Sequence, residues 1–184
     1  MTICLVLGGG SSVEDDVRAV LELGEFDGVV ACNDAGVSWP GPLDAWVSLH
    51  TDKLTRTWRY ARKTKGYEQA GYMWGPKRAF DKTLTPPLDG WVEQFFPGQL
   101  DSGSSGHFAL KAALEDIGYD RAVLCGIPMD TLAHFFGGPD WRSATSHRLG
   151  WEQTFTLIKD RVRSMSGWTG QKFGRPTARW IAGA

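Results

Sequence analysis

Short, continuous apolar runs recur along this chain, and stretches in which apolar residues repeat with helical spacing separate several of them. Apolar runs without internal alternation are typical of strands that are buried on both faces of a sheet. Such runs predict strands at 2–7, 28–32, 45–50 and 121–127, with a further strand at about 161–165. Helical spacing predicts helices at 13–23, 108–117 and 149–162, and Gly118 is placed to end the second of them.

This alternation of strands and helices predicts an α/β fold. We expect a Rossmann-like, mostly parallel sheet with helices on both faces, built as a single nucleotide-binding-like domain over residues 1–184. Residues 66–100 are rich in Gly, Pro and aromatic side chains, which predicts an irregular insertion or lid. Ligands of such sheets bind at the carboxyl ends of the strands, so the residues that follow each strand are the candidate site.

Charge is unevenly placed although the formal net charge is only −1. The near-neutral total gives no reason to expect a nucleic-acid partner. Residues 1–50 contain Arg18 as their only Lys or Arg, and a basic run follows directly. The run consists of Lys53, Arg56, Arg59, Arg62, Lys63 and Lys65. Such a run is usually a solvated helix face, and its alternative is a clamp for phosphate oxygens.

The three cysteines lie in apolar, strand-like runs at Cys4, Cys32 and Cys125. Their number is odd and their spacing is not that of metal ligands, which predicts small buried thiols in a reducing, cytoplasmic protein. We also expect no membrane span, because no apolar stretch approaches the necessary length.

The first strand runs directly into a glycine-serine turn, here named the first turn, with the residues Gly8, Gly9, Gly10, Ser11 and Ser12. Glycines let a backbone approach a ligand closely, and the N-terminus of the following helix attracts anions. These properties predict a phosphate site. The spacing is neither that of a Walker loop nor G-x-G-x-x-G, and an ordinary turn with a serine N-cap is the alternative.

A second turn of the same character, residues 101–107, precedes the predicted helix 108–117. Ser104, Ser105 and Gly106 are its small residues, and Gly126 ends the strand that follows this helix. Two such turns could hold two phosphates, or a phosphate and a sugar carboxylate. The alternative is a pair of ordinary capped helices.

Polar residues also follow the second and third strands. Asn33 and Asp34 come after strand 28–32, where α/β folds often hold a ribose hydroxyl, although the pair is equally typical of a turn. His50 and Asp52 come after strand 45–50 and are the candidate catalytic residues, because histidine exchanges a proton near neutrality. Mg²⁺ is the candidate cofactor, with Asp34, Asp52 and Asp130 as oxygen ligands without diagnostic spacing.

The remaining histidines are weaker candidates. His107 is predicted in the first turn of its helix, and His134 is flanked by apolar residues that indicate a core histidine. His147 has no informative neighbours. HExxH and G-x-S-x-G patterns are missing from the sequence, which disfavours zinc hydrolysis and α/β-hydrolase chemistry.

Taken together, four segments resemble one known family: residues 3–12, residues 30–35, Ser104-Ser105-Gly106 with the following helix, and residues 118–126. The series resembles the Rossmann-like MptE-like family of 6-hydroxymethyl-dihydropterin diphosphokinases. That family is similar to the motility-accessory glycosyltransferases and the bacterial CMP-sialic-acid sialyltransferases. The resemblance implies that the first turn faces nucleotide phosphates, that Asn33 contacts the nucleotide or its sugar, and that the second turn lines the same cleft.

The chain departs from the family pattern in two motifs. The usual Gly-Pro-Ser turn lacks its proline here, and residues 126–130 stand in place of an acidic Gly-x-Asp ending. The chain is also short for the family. These differences leave the reaction more open than the fold.

The resulting hypothesis is a transferase that binds a nucleotide or nucleotide-sugar through the two turns. It would transfer a glycosyl or diphosphate group, with His50 or Asp52 acting at the transferred group. The alternative is a non-catalytic accessory protein that binds a nucleotide or a glycan, since a fold does not fix a function.

Overall fold

Seven strands form one parallel sheet in the computed structural model, which describes residues 1–84, 87–131, 133–137 and 140–183. Along the sheet the strands follow the order β5-β4-β3-β2-β1-β6-β7, and every neighbouring pair is parallel. The strands are β1 Ile3–Leu7, β2 Gly28–Cys32, β3 Ala45–Val47, β4 Tyr72–Pro76, β5 Gly90–Val92, β6 Arg121–Cys125 and β7 Val162–Ser164. The predicted α/β, Rossmann-like fold is therefore confirmed.

The helices cover both faces of this sheet. They are α1 Val13–Leu21, α2 Ala35–Ser38, α3 Thr51–Lys53, α4 Arg59–Thr64, α5 Ser104–Lys111, α6 Ala144–Ile158, α7 Gly167–Phe173 and α8 Ala178–Ala182. Two π-helical segments, Leu54–Trp58 and Ala112–Ile117, join α3 to α4 and extend α5, and a 3₁₀ turn spans Lys77–Ala79. Within the described ranges no helix is long and apolar enough to cross a bilayer.

Two hydrophobic clusters lie on opposite faces of the sheet because side chains alternate along a strand. In β1, Cys4 and Val6 join a cluster with Phe108 of α5, whereas Ile3 and Leu5 belong to the other cluster. Both sets are buried, which explains why β1 is apolar throughout. Continuous burial of this kind is the pattern expected of a central parallel strand.

The third strand ends earlier than the apolar run predicted, because Ser48 diverts the chain. Its hydroxyl donates to Oδ1 of Asn33 at 2.8 Å and accepts from the backbone N–H of His50 at 2.8 Å. The α5 helix begins at Ser104 rather than at 108, and α6 begins at Ala144 and ends at Ile158. The predicted helix at 149–162 was therefore too late at both ends.

The stretch predicted to be an irregular insertion contributes two strands, β4 and β5, to one edge of the sheet. The sequence of β4 ends in Gly-Pro, and these two residues are depleted in strands, so β4 gives a weak strand signal although it pairs with strands on both sides. Residues 85 and 86 of this stretch, and residue 184 of the predicted single domain, lie outside the described residues. The number of domains stays a prediction.

The three cysteines lie on the adjacent central strands β1, β2 and β6, and all are buried and unpaired with one another. Burial raises the pKa of Cys4 and Cys125, and it raises the pKa of Cys32 to about 12. These thiols therefore remain protonated at neutral pH and fill space as small apolar groups.

Candidate functional site

A cleft of about 730 Å³ opens at the carboxyl ends of the central strands, where ligands of such sheets bind. Nine of the predicted site residues line it. They are Gly8, Gly9, Gly10, Asn33, His50, Ser104, Ser105, Gly106 and Gly126. The volume lies in the range of small-molecule sites.

Four other predicted residues do not line this cleft: Ser11, Ser12, Asp34 and Asp52. Asp52 follows the cleft residue His50 but lies in the first turn of α3 with an exposed side chain. Asp34 reaches the cleft indirectly, since its Oδ1 lies 3.1 Å from Nε2 of His134, which does line it.

Backbone strain is concentrated in the cleft. Among the described residues, the non-glycine residues with positive φ are Asn33 at 51°, Ser104 at 79° and Met129 at 55°, and all three line the cleft. A left-handed conformation costs a non-glycine residue on the order of 1 kcal/mol and persists where the surroundings enforce it. Strain of this kind clusters at functional sites, so its position supports a ligand-binding role for this cleft.

The strained conformation of Asn33 is enforced by the neighbouring strand. Its carbonyl accepts a hydrogen bond from the Trp46 indole at 2.5 Å, and its N–H donates to the Val47 carbonyl at 3.1 Å. The hydroxyl of Ser48 holds its side-chain oxygen. These bonds fix the Asn33 carboxamide at the cleft wall, as the position after β2 predicted.

Backbone hydrogen bonds to the end of β6 and to the residue after it hold the first turn. Gly8 donates its N–H to the Cys125 carbonyl at 2.9 Å, and Gly10 donates to the Gly126 carbonyl at 2.8 Å. These two N–H groups are therefore already hydrogen-bonded within the protein and cannot donate to a phosphate. The glycines are needed for close approach: a Cβ on Gly9 would lie 1.9 Å from Nε2 of His134.

A buried carboxylate holds the end of the first turn. Oδ2 of Asp16 accepts hydrogen bonds from the Gly126 N–H at 2.8 Å, the Ser166 hydroxyl at 2.7 Å and the Ser12 hydroxyl at 3.0 Å. Asp16 is 7% exposed. Ser12 consequently points toward Asp16 and Ser166 and not into the cleft.

The second turn presents its small residues to the cleft. Ser104 lies beside Met129, with Oγ 3.6 Å from Sδ, and Ser105 and Gly106 line the same wall. The neighbouring His107 is buried, and its Nε2 lies 2.9 Å from the Thr154 hydroxyl. Burial lowers the pKa of His107 to about 3, so this histidine is neutral and structural.

The cleft also contains histidines that sequence reasoning did not place there. The interpretation of His134 as a core histidine is wrong: its side chain is 39% exposed, and its Nε2 faces Asp34. A bridge to Gly10 and the N–H of Phe135, which donates to the Gly9 carbonyl at 3.1 Å, hold its loop over the first turn.

His147 lies in the first turn of α6, beside the second turn. Its Nδ1 is 3.3 Å from the Ser102 carbonyl, and its ring stacks on Trp141 with centroids 5.4 Å apart. A proton on Nδ1 satisfies this carbonyl and leaves Nε2 as the acceptor nitrogen. Trp141 and His147 both line the cleft.

Cations reach the site from unexpected elements. Arg78, in the 3₁₀ turn after β4, lines the cleft, and Arg148 of α6 bonds the Met129 carbonyl at 2.9 Å and Asp130 at 3.0 Å. Neither belongs to the basic run of the sequence. Within that run, Arg62 is buried and donates to the carbonyls of Gly36, Trp39, Gly41 and Glu68, so it is structural.

The carboxylates predicted as Mg²⁺ ligands are not assembled into one site. Asp34 faces His134, Asp130 is paired with Arg148, and Asp52 lies outside the cleft. In the described part of the chain no group of three or more His, Cys, Asp or Glu side chains could hold a metal ion. The residues present therefore do not fit a cation site built from protein ligands alone.

Comparison with solved structures finds the same fold in the sialyltransferase CstII from Campylobacter jejuni, determined in complex with the substrate analogue CMP-3FNeuAc. The TM-score is 0.62 at 14% sequence identity, over 98% of this chain and 87% of the CstII chain. No protein-family model and no curated protein matches the sequence. The sialyltransferase side of the sequence resemblance is thus confirmed at the level of the fold.

Proposed function

We propose that this protein is a glycosyltransferase that transfers a sugar from a nucleotide-sugar donor bound in the cleft. The observation that carries the proposal is the convergence in one cleft of the two turns, Asn33 and all three strained residues, in a fold shared with CstII and its CMP-3FNeuAc complex. Strain at a preformed site is typical of ligand binding.

The donor nucleotide would lie between the two turns. The second turn offers two hydroxyl groups and the N-terminal end of the eight-residue α5 helix, where anions are stabilised. Gly9 and Gly10 of the first turn also line the cleft, with His134 and Pro128 packed against them. Asn33 would contact the nucleotide or its sugar from the end of β2.

His147 is the best oriented candidate for a general base. With Nδ1 donating to Ser102, its Nε2 can accept the proton of an acceptor hydroxyl. The acceptor oxygen then bonds to the anomeric carbon while the bond from that carbon to phosphate breaks, and the nucleotide leaves with the electron pair. His50 remains a candidate for the same role, since it also lines the cleft; Asp52, which is outside, would act only through another residue.

His134 and Arg78 would stabilise the leaving phosphate. The His134 imidazole lies beside the Asp34 carboxylate at the cleft, and Arg78 brings a permanent positive charge to it. Positive charge where a leaving group becomes negative is an effective source of catalysis. This assignment places a candidate base and a permanent cation in the same cleft.

Two other functions keep the same nucleotide site. Diphosphate transfer, which the MptE-like resemblance suggests, also needs a nucleotide across the turns, together with Mg²⁺ that one or two carboxylates and the phosphates themselves would hold. A non-catalytic accessory protein would bind the nucleotide or a glycan without turnover. Of the two, only the accessory protein would have no use for an oriented base at His147.

The test combines binding with turnover. Thermal shift with CMP, CDP, UDP, GDP and ATP, with and without Mg²⁺, identifies the nucleotide, and release of free nucleotide from the matching nucleotide-sugar measures transfer. We expect His147→Ala to keep the thermal shift and to lose about 10²–10⁴-fold in turnover, while His107→Gln, outside the cleft, keeps turnover at pH 7.5. Binding with no turnover of any donor would favour the accessory protein, and no stabilisation by any nucleotide would overturn the nucleotide site.

A further inference from the structure

Ser48 carries a buried hydroxyl that lies between two residues of the cleft. The residue is 0% exposed, and its backbone N–H donates to the Trp74 carbonyl at 3.3 Å. Its hydroxyl has two partners among the described residues. The oxygen lies 2.8 Å from the backbone nitrogen of His50 and 2.8 Å from Oδ1 of Asn33. Ser48 therefore joins the cleft residue that follows β2 to the one that follows β3.

The two hydrogen bonds of Ser48 have fixed directions. The backbone N–H of His50 can only donate, so the Ser48 oxygen accepts in that bond. The single hydroxyl proton is then donated to Asn33, because Ser48 is fully buried and no other described group accepts this proton. The Asn33 atom that faces Ser48 must be an acceptor, and in a carboxamide only the oxygen accepts.

This chain of bonds sets the orientation of the Asn33 carboxamide. Because Oδ1 is turned toward Ser48, the NH₂ group is left for the cleft that Asn33 lines. Among the described residues no group accepts a hydrogen bond from Nδ2. A carboxamide rotated by half a turn would leave the Ser48 proton buried without an acceptor, which is costly.

The backbone of Asn33 is held independently of its side chain. The Trp46 indole donates to its carbonyl, and its own N–H donates to the Val47 carbonyl. Both partners belong to β3, and Ser48 is the next residue of the chain. The main chain of Asn33 is therefore fixed at its positive φ, and Ser48 fixes the rotation of the carboxamide.

We infer that Ser48 is a positioning residue, which holds the Asn33 carboxamide with its NH₂ group toward the ligand. The ligand group that meets Asn33 is then a hydrogen-bond acceptor: a phosphate oxygen, or an acceptor atom of the base or ribose. A group that can only donate is rejected, because it would face the two amide hydrogens. This role rests on the proposed function, since it requires a nucleotide in the cleft.

The first test is a double-mutant cycle measured by calorimetric titration with those nucleotides of CMP, CDP, UDP, GDP and ATP that stabilise the wild type. We expect Ser48→Ala to weaken binding about fivefold and Asn33→Ala about tenfold. The double variant should bind like Asn33→Ala, because Ser48 acts through Asn33. Ser164→Ala is the matched control and should bind as the wild type: Ser164 is also 0% exposed, and its hydroxyl contacts Thr169 at 2.9 Å outside the cleft.

The second test observes the Asn33 side-chain amide by NMR. Its pair of proton resonances is identified by its loss in Asn33→Ala, and one proton should shift downfield when the nucleotide binds, because that proton is then donated to an acceptor. The corresponding nucleoside shows which acceptor is involved. A loss of affinity in Asn33→Ala for nucleotide and nucleoside alike assigns the base or ribose, and a loss for the nucleotide alone assigns the phosphate.

Three results would overturn the inference and leave the proposed function standing. They are nucleotide binding that is unchanged in Ser48→Ala, additive losses in the double variant, and nucleotide binding that leaves the Asn33 amide resonances in place. The last result needs no variant of Ser48, so it holds even where Ser48→Ala does not fold. No stabilisation of the wild type by any nucleotide would instead overturn the proposed function, and the role of Ser48 with it. Thermal unfolding of each variant checks that the fold is intact.

Discussion

The first and second turns have the same character in the sequence, but the structure uses their polar groups differently. In the first turn, the Ser12 hydroxyl and the N–H groups of Gly8 and Gly10 bond other parts of the protein. In the second turn, Ser104 and Ser105 line the cleft, and the Ser104 hydroxyl has only a long contact of 3.6 Å with the Met129 sulfur. A small-residue turn before a helix thus indicates where a backbone can approach a ligand, but not whether its donors are free to bind one.

The largest change in stability is expected from replacing Asp16, which anchors the end of the first turn. Replacing Asp16 with alanine removes the acceptor for Ser12, Ser166 and the Gly126 N–H, and we expect the free energy of unfolding to fall by about 3 kcal/mol. Urea unfolding measures this loss of free energy. Asp15→Ala is the matched control, because Asp15 is 82% exposed and its change should stay within about 0.5 kcal/mol. Equal losses in the two variants would show that the Asp16 bonds do not anchor the turn.

The second turn should make stability depend on pH through His107. Burial lowers its pKa from 6.5 to about 3. Between these two pH values the unfolded chain binds a proton at His107 and the folded protein does not. The folded state is therefore fully stable with respect to this group above pH 6.5, and its free energy of unfolding falls by about 1.4 kcal/mol per pH unit as the pH decreases toward 3. We expect His107→Gln to flatten the dependence measured by urea unfolding between pH 7 and 4. His50→Gln, at an exposed histidine, should keep the wild-type slope; the reverse result would contradict the burial argument.

Ser104 tests whether strain in the second turn serves binding. Ser104→Gly relieves a φ of 79° and should raise the free energy of unfolding by about 0.5–1 kcal/mol, while nucleotide affinity falls because the hydroxyl is lost. Ser104→Ala keeps the strain and should lower affinity without the gain in stability. Calorimetric titration measures the nucleotide affinity, and thermal unfolding measures the stability. A Ser104→Gly variant that is less stable than the wild type would contradict the strain assignment.

The smallest effect on binding is expected from the serines of the first turn. Ser11→Ala and Ser12→Ala should leave nucleotide affinity within about twofold, because neither side chain lines the cleft. Ser12→Ala should lower the free energy of unfolding by about 1 kcal/mol, since its bond to Asp16 is lost. A tenfold loss of affinity in either variant would show that this serine contacts the nucleotide, as the sequence predicted.

The sequence could predict the parts of the fold that local pattern determines. β1 and β2 are continuous apolar runs because both of their faces are buried, so their bounds were predicted within a residue. β4 and β5 were missed because both strands are short and contain glycine, and β4 ends in proline, which outweighs the strand preference of their tryptophans. The positions of Asn33 and His50 at the cleft were predicted because ligands of parallel sheets bind at the carboxyl ends of the strands.

The rest of the site depends on contacts between distant segments. Ser12 is turned from the cleft by Ser166, which lies 154 residues away in the chain. His134 reaches the first turn because its loop pairs with Gly10, and His147 is oriented by the Ser102 carbonyl, 45 residues earlier. Periodicity carries no information about such contacts, so it could not separate these histidines from core residues.

The burial of the cysteines at the centre of the sheet has a practical consequence. Cys4 and Cys125 are fully buried in adjacent central strands and burial raises the pKa of both thiols, so reagents can reach them only when those strands separate. Cys32 borders the cleft, but it is only 3% exposed and burial raises its pKa to about 12. A cysteine introduced on the surface should therefore react much faster than the native thiols, and the slow modification of Cys4 and Cys125 would report the opening of the sheet itself.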